Sequence, residues 1–169
     1  MPEEKILLKA TLCFPVNDLN VLLGIKREKI GANCRNGWGG GIEFGETALE
    51  CIEREVAEEG GVVVRQSDFE KVAVVDFTNH TTEGGVFVCR VHVYFLHRWD
   101  GEFQPTPEMS DPRWFERQQL PLDAMMLADR YWLPPVMAGK KLYAQAEYGP
   151  SQKTLLGEVK IRYIESLAA

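Results

Sequence analysis

Three glutamates, Glu55, Glu58 and Glu59, are spaced so that on a helix their side chains would project from one side. Two carboxylates about 4 Å apart repel each other by about 1 kcal/mol in water and by about 4 kcal/mol near a protein surface. A divalent cation would relieve this repulsion, because clustered carboxylate oxygens suit Mg²⁺ and Mn²⁺, often together with substrate phosphates. The spacing therefore predicts a metal site. The alternative is a solvated acidic face, which is the commoner origin of a charge run.

Two features favour the metal site. The glutamates adjoin an apolar stripe at helical spacing, formed by Ala48, Leu49, Ile52 and Val56. A loop ending in three glycines, residues 39–41, precedes the same helix. Glycines let the backbone approach a ligand closely, and loops before helices are natural anion sites. We therefore expect the loop and the helix to bind a metal and a phosphate together.

Capping residues mark both ends of this helix, and the residue pattern on either side predicts the neighbouring elements. Thr47 and Glu50 form a capping-box pair at its start, and Gly60-Gly61 can end it. Apolar runs predict strands, of which the first two, joined by a turn at 17–20, are expected to form a hairpin. The strands are expected at residues 5–16, 21–25, 71–78, 86–96, 113–115, 141–148 and 155–164, with a partly helical segment at 121–138. In the fourth strand, one core face is expected from Phe87, Cys89, Val91, Val93 and Phe95. Together these elements predict one α+β domain over residues 1–169.

The loop and the helix resemble the signature of the Nudix family. The pattern G-x5-E-x7-R-E-U-x-E-E-x-G-U, with U aliphatic, is matched at all nine specified positions over the 23 residues 40–62. The resemblance implies the Nudix fold, a mixed β-sheet sandwiched between α-helices, and Mg²⁺-dependent hydrolysis of a nucleoside diphosphate linked to a further group. It also implies roles: Glu55, Glu58 and Glu59 as principal metal ligands, Gly40 lending a backbone carbonyl, Arg54 orienting the glutamates, and Glu46 bracing the loop and helix.

Segments outside this box resemble the MutT-like branch, the oxidised purine nucleoside triphosphatases. The likeness covers most of the chain with gaps, in residues 21–26, 36–40, 108–109, 114–115 and 129–134. It implies that Asn36 and Asp129 bind the purine edge, that Lys26 lies near the nucleotide pocket, and that Glu108 is a further metal ligand or the base. On the residues alone, a turn role for Asn36 and a cap or solvated acid for Asp129 would be commoner.

Two positions depart from the branch pattern. The human-type enzymes have two adjacent aspartates where this chain has Ala128-Asp129, and an aromatic stacking residue where it has Met126. A flexible Met126 side chain can still cover a base, or it can pack within a helix. Three aromatic residues either line the pocket or fill the core: Trp38, Tyr131 and Trp132.

Composition limits the function classes. Seven acids between residues 43 and 59, against Arg54 alone, account for the whole net charge of −6. The acidic balance disfavours non-specific nucleic-acid binding. Without a run of about 18 apolar residues, no membrane span is expected, and the N-terminal residues are unlike a signal peptide. These features predict a cytoplasmic protein with no nucleic-acid, membrane or obligatory protein partner.

The four cysteines form no C-x-x-C pair and are expected to be reduced thiols, with Cys51 in a packing role. They are Cys13, Cys34, Cys51 and Cys89. Covalent catalysis is therefore not part of the predicted chemistry.

The leading hypothesis is a Mg²⁺-dependent nucleoside triphosphate pyrophosphohydrolase, with Mn²⁺ as a possible replacement. It would release nucleoside monophosphate and pyrophosphate and remove oxidised purine nucleotides such as 8-oxo-dGTP. A second hypothesis is hydrolysis of another nucleoside diphosphate derivative, ADP-ribose or a nucleotide sugar. A non-catalytic nucleotide-sensing module is a third, disfavoured because every carboxylate of the box is present.

Overall fold

The computed structural model of the protein describes residues 6–27 and 32–168. The predicted start of the first strand at Lys5 and part of the predicted loop at 29–41 lie outside these residues. The described residues form eight strands and two helices. In chain order they are β1 Lys9–Pro15, β2 Asn20–Lys26, β3 Arg35–Asn36, α1 Ala48–Gly60, β4 Phe69–His80, β5 Val86–Leu96, β6 Met109–Glu116, α2 Asp129–Met137, β7 Lys141–Tyr148 and β8 Lys160–Ile164.

Two sheets carry the fold. The larger has the order β1-β5-β4-β7-β8 and mixes parallel with antiparallel pairs, while β3, β2 and β6 form a second sheet in the order β3-β2-β6. One apolar cluster joins α1 to the sheets through Ile52 and Val56, and a second joins α2 through Trp132 and Leu133. The helices thus cover opposite faces of the larger sheet, and the predicted α+β class with a sandwiched mixed sheet is confirmed.

The predicted hairpin of the first two strands is wrong. The strands exist, but β1 pairs in parallel with β5, and β2 pairs with β3 and β6. Their only contact of this kind among the described residues is one bridge between Val16 and Val21. The turn between them was predicted correctly, because the Asn17 side chain accepts hydrogen bonds from the backbone N of Leu19 and Asn20. That turn leads the chain into the other sheet, a non-local outcome that the turn residues do not encode.

Helix α1 begins and ends where its caps predict. The Thr47 hydroxyl accepts from Glu50 N at 3.1 Å, the Glu50 carboxylate accepts from Thr47 N at 3.1 Å, and Gly61 closes the helix at φ 68°. Of the predicted stripe, Ile52 and Val56 are fully buried. The helix covers one face of the larger sheet, and this explains why β5 buries both faces near its end, rather than the single face predicted.

Replacing Thr47 by alanine is expected to destabilise the protein by about 1 kcal/mol, because the helix loses the acceptor for one of its free N–H groups. The measurement is the free energy of unfolding in urea. Thr47→Ser is the matched control, since it keeps the hydroxyl, and its stability should stay close to the native value. Equal losses in the two variants would contradict the capping role.

The C-terminal half differs in detail from its prediction. Helix α2 forms the second half of the segment expected to be partly helical, and it continues through Pro134 and Pro135. The last strand begins at Lys160, and Leu155 makes only an isolated bridge to Tyr148. The predicted short strand at 113–115 lies in the C-terminal half of the longer β6. No helix in the described ranges has the length and apolar character needed to cross a bilayer.

Candidate active site

The glycine loop is fastened to β1 by backbone hydrogen bonds. Thr11 N donates to Gly40 O at 2.9 Å, and Trp38 N donates to Cys13 O at 2.9 Å. The two backbones approach so closely that a Cβ at Gly39 would stand 2.0 Å from Thr11 O. Only glycine fits there, so the loop glycines serve close packing on β1 and thereby fix the loop against α1.

Gly40 also makes room for a carboxylate. A Cβ at this position would lie 2.6 Å from Glu55 Oε1, with the rest of that carboxyl group within 2.9 Å. The Gly40 carbonyl, however, accepts hydrogen bonds from Thr11 N and from the Thr11 hydroxyl at 3.2 Å. The metal-binding role predicted for this carbonyl stays a prediction. Gly40 also provides the space in which the Glu55 carboxylate lies.

Arg54 connects the loop to the carboxylates of α1. Its Nε and one terminal nitrogen donate to both oxygens of Glu46, at 2.7 and 3.0 Å, and the other terminal nitrogen donates to Glu55 Oε1 at 2.9 Å. The same nitrogen reaches Glu58 Oε2 at 3.4 Å. Hydrogen bonding to Arg54 lowers the pKa of Glu46 to about 2, so this pair stays ionised at neutral pH. Such an arrangement orients Glu55 and braces the loop.

Glu59 lies within hydrogen-bonding reach of Glu108 and Glu55. The pKa of Glu59 is raised to about 8, mainly by burial and further by these two acidic neighbours. Two of the predicted carboxylates on α1 and Glu108, which precedes β6, are thus brought together. Glu58 is placed differently, because its side chain is 62% exposed and its contact is with Arg54.

All five residues predicted to bind substrate line one cleft. It lies between β1, the glycine loop, β3 and the start of α2, and it includes Gly39 and Gly40. The five are Lys26, Asn36, Met126, Asp129 and Trp132. The glycine loop therefore lines the cleft and also adjoins the Glu55 carboxylate.

Asp129 is 5% exposed and is held by two hydrogen bonds. Trp132 Nε1 donates to Oδ1 at 3.1 Å, and Met126 N donates to Oδ2 at 3.3 Å. Burial raises the pKa of this carboxyl to about 7. Asn36 is also buried, and its Oδ1 accepts from Gly37 N at 2.9 Å. Asn36 and Asp129 thus face the cleft as buried polar groups and are neither a plain turn residue nor a solvated acid.

Comparison with known proteins decides the family. The family described as NUDIX domain matches residues 7–136. The chain belongs to the Nudix family. The predicted family and the predicted hydrolase acting on phosphoric anhydride bonds are thereby confirmed.

Similar proteins place this Nudix hydrolase near the MutT-like branch. An oxidized purine nucleoside triphosphate hydrolase of Danio rerio is 31% identical over 131 residues, 78% of this chain and 80% of that protein. The protein of the same name from Mus musculus is 30% identical over 156 residues, 92% of this chain and 95% of its own length. The crystal structure of a MutT protein from Bacillus halodurans shares the fold, with a TM-score of 0.75 at 24% identity, covering 92% of this chain and 97% of that one.

Nudix hydrolases generally use a divalent metal ion, and the donors present here suit one. Three carboxylates, Glu55, Glu59 and Glu108, adjoin one another, and burial together with the two acidic neighbours raises the pKa of Glu59. As the side chains are oriented, Glu55 accepts from Arg54, and Glu59 lies beside Glu55 and Glu108. In the described part of the chain, no group of three His, Cys, Asp or Glu side chains is arranged so that it could hold a metal.

Several cleft residues of this Nudix domain were missed by sequence analysis. Phe77, Asn79, Cys89, Tyr148 and Gln152 line the cleft from β4, β5, β7 and the turn after β7. No local motif marks them, because pairing of distant strands brings them to one place. Among the aromatic residues, Trp38 is fully buried in the core and Tyr131 is half exposed, while Trp132 lines the cleft.

The cysteines behave as predicted, since all four are free thiols. Cys51 is fully buried beneath the glycine loop, with its Sγ 3.2 Å from the Thr11 hydroxyl. Burial raises the pKa of this thiol to about 11, so it is protonated at neutral pH. A protonated, enclosed thiol packs and does not act as a nucleophile.

The raised pKa of Asp129 predicts a pH-dependent stability. The unfolded carboxyl has a pKa of about 3.9, so between about pH 4 and pH 7 the folded protein binds a proton that the unfolded chain releases. The stabilisation from this group is full below about pH 4 and is lost as the pH rises through 7. We expect native protein to lose stability relative to Asp129→Asn between pH 5 and pH 8 in urea unfolding. The contribution of Glu59 is the same in both proteins and cancels in the difference between their stabilities. If that difference did not change with pH, the raised pKa assigned to Asp129 would be contradicted.

Proposed function

We propose that this chain is a Mg²⁺-dependent nucleoside triphosphate pyrophosphohydrolase that acts on oxidised purine nucleotides such as 8-oxo-dGTP, releasing nucleoside monophosphate and pyrophosphate. One observation carries the proposal: the cleft with buried Asn36 and Asp129 shares the glycine loop with the carboxylates of α1. A base in the cleft would direct its phosphates past Gly39 and Gly40 toward those carboxylates. The names of the two vertebrate relatives agree with this substrate.

Four glutamates would hold the metal: Glu55, Glu58, Glu59 and Glu108. Mg²⁺ is the expected ion, and Mn²⁺ has the same preference for carboxylate oxygens. When bound, such an ion neutralises charge on the phosphate oxygens and favours deprotonation of an attacking water. Arg54 would keep Glu55 in place, as its 2.9 Å hydrogen bond does in the structure. Glu58 would have to exchange its longer contact with Arg54 for the metal.

The reaction is a hydrolysis without a covalent intermediate. A water oxygen forms a bond to a phosphorus of the triphosphate chain, the anhydride P–O bond breaks, and pyrophosphate leaves. The water proton passes to a carboxylate of the cluster, for which Glu59 and Glu108 are the candidates. Positioning and charge neutralisation provide most of the catalysis in phosphoryl transfer, which matches a site built from oriented carboxylates.

The cleft would recognise the base by its polar edge and its flat faces. The Asn36 amide has donor and acceptor capacity, and the Asp129 carboxyl, with a pKa of about 7, can donate or accept near neutral pH. Met126 and Trp132 would cover the ring, and Lys26 would approach the sugar or phosphates. Ala128, where the branch pattern has a second aspartate, is buried, and its N–H donates to the Tyr148 hydroxyl at 2.8 Å. Asp129 would therefore be the one carboxyl that the pair contributes to the base.

A nucleotide panel tests the proposal. The protein is incubated with Mg²⁺ and unmodified or oxidised purine triphosphates, together with ADP-ribose and nucleotide sugars. We expect the highest kcat/KM for an oxidised purine triphosphate. Faster turnover of ADP-ribose or a sugar nucleotide would favour the second hypothesis, and tight binding of a nucleotide with no product would favour a sensing module.

The remaining assignments follow from the proposed substrate. A small nucleotide substrate is consistent with the hydrolase relatives. We infer a cytoplasmic location and a single catalytic domain over residues 1–169, with no nucleic-acid, membrane or obligatory protein partner. Size-exclusion chromatography of the active protein tests the last point, because activity that requires a second protein would contradict it.

A further inference from the structure

A further buried amide lines the cleft besides Asn36. Asn79, near the end of β4, is 5% exposed. Its Nδ2 donates to Phe77 O at 3.1 Å, and its Oδ1 accepts from Gln152 Nε2 at 3.0 Å. Both Asn79 and Gln152 belong to the cleft lining. In ligand pockets, a small number of polar groups fix the orientation of the ligand and provide specificity.

Gln152 is held in an uncommon backbone conformation. Ser151 and Gln152 are consecutive residues in the left-handed region, with φ values of 58° and 57°, which residues other than glycine seldom adopt. The turn is closed by Gln152 N donating to Gly149 O at 2.9 Å. Backbone conformations of this kind cluster at ligand sites. Here the turn brings the Gln152 amide onto Asn79 and thereby fixes which way the Asn79 amide faces.

Tyr148 lies between Asn79 and Asp129. It is the register partner of Asn79 across β4 and β7. Its hydroxyl, at the other end of the side chain, accepts from the backbone N of Ala128, the residue before Asp129. Asn79, Tyr148 and Asp129 all line the same cleft. A planar base that reached Asp129 with one edge would have another edge available to Asn79.

Asn79 retains hydrogen-bonding capacity in this arrangement. A side-chain amide has two N–H donors and two acceptor lone pairs. One donor is used by Phe77 O and one lone pair by Gln152. One donor and one lone pair of the same amide remain.

We propose that Asn79, oriented by Gln152, is a specificity-determining residue that binds the five-membered-ring edge of an oxidised purine. Oxidation at C8 places a C8 carbonyl beside an N7–H, and these match the free donor and the free lone pair of the amide. An unmodified purine presents a bare N7 acceptor and a C8–H, and it leaves the amide oxygen without a donor. This inference rests on the proposed function, and it identifies the residue that distinguishes oxidised from unmodified substrate.

The test is the ratio of kcat/KM for 8-oxo-dGTP to kcat/KM for dGTP. We expect Asn79→Leu to lower this ratio about tenfold, the effect of the one additional hydrogen bond that the oxidised purine makes. Gln152→Ala keeps the Asn79 amide but frees its orientation, so a smaller fall is expected. Gln145→Leu, which exchanges the same chemical groups on the exposed part of β7 outside the cleft, should leave the ratio unchanged.

A purely structural role for Asn79 would lower turnover of both substrates equally, and an unchanged ratio in Asn79→Leu and in Gln152→Ala would overturn the proposal. Binding of 8-oxo-dGMP and dGMP, followed by the fluorescence of Trp132 in the cleft, gives a second readout independent of hydrolysis. If the native protein hydrolyses neither triphosphate, the proposed function fails. The Asn79 proposal then stands or falls on whether native protein prefers 8-oxo-dGMP and Asn79→Leu loses that preference.

Discussion

Glu59→Gln is expected to lower kcat for 8-oxo-dGTP by roughly a thousandfold, within the range of 10² to 10⁴ for a group that handles a proton or charge at the reacting centre. Glu59 is the carboxyl that adjoins both Glu55 and Glu108, so its replacement removes from the middle of the cluster a carboxyl that could bind the metal or accept a proton. The measurement is steady-state hydrolysis with Mg²⁺ at saturating substrate. Stability should not fall, because glutamine removes a carboxyl whose charged form is disfavoured by burial and by its acidic neighbours.

Glu53→Gln is the matched control for this variant. It removes the same charge from the same helix at a side chain that contacts Gln66 on the outer surface. Its kcat should remain within about twofold of the native value, since exposed charges distant from a site contribute little. A Glu59→Gln protein that retains native kcat would contradict the assignment of the carboxylate cluster as the reacting centre.

Gly40→Ala is expected to lower kcat/KM by about a hundredfold, because a displacement of about 1 Å at a catalytic group has an effect of this size. The new methyl group would stand 2.6 Å from Glu55 Oε1. Real Cβ contacts are longer, so the Glu55 carboxylate must move and its hydrogen bond to Arg54 must change.

Gly41→Ala separates this effect from general damage to the loop. Its Cβ would lie 2.8 Å from Leu7 Cδ1, the end of a flexible side chain that can rotate away, and 3.9 Å from Lys9 O, which is an ordinary contact. We expect this control to retain most of its activity. Equal activities of the two variants would show that the space beside Gly40 is not needed for Glu55.

The part of the site that could be predicted from sequence is the part held by local interactions. Helix α1 is bounded by Thr47 and Gly61, and its carboxylates follow from helical spacing alone. The loop and helix are one continuous segment, so their signature is visible in 23 residues. Resemblance to relatives added Asn36 and Asp129, whose individual residue types carry no signal.

The remainder depends on contacts between distant residues. Asn79 and Gln152 are separated by 73 positions, and their hydrogen bond exists only because β4 and β7 pair. The turn after β1 was predicted correctly, but the pairing of β1 with β5 involves a strand about eighty residues away. The engagement of the Gly40 carbonyl by Thr11 is likewise a consequence of how the loop lies on β1. None of these three contacts could be predicted from the spacing of residues in the sequence.

The central claim is that the carboxylates of α1 hydrolyse a purine triphosphate whose base is bound beside Asn36 and Asp129. Phosphorus NMR of 8-oxo-dGTP incubated with the protein and Mg²⁺ tests it most directly. We expect that the three triphosphate signals are replaced by those of a monophosphate and of pyrophosphate, and that Glu59→Gln leaves the triphosphate intact over the same time. Release of inorganic phosphate with a nucleoside diphosphate, or an intact triphosphate with the native protein, would contradict it.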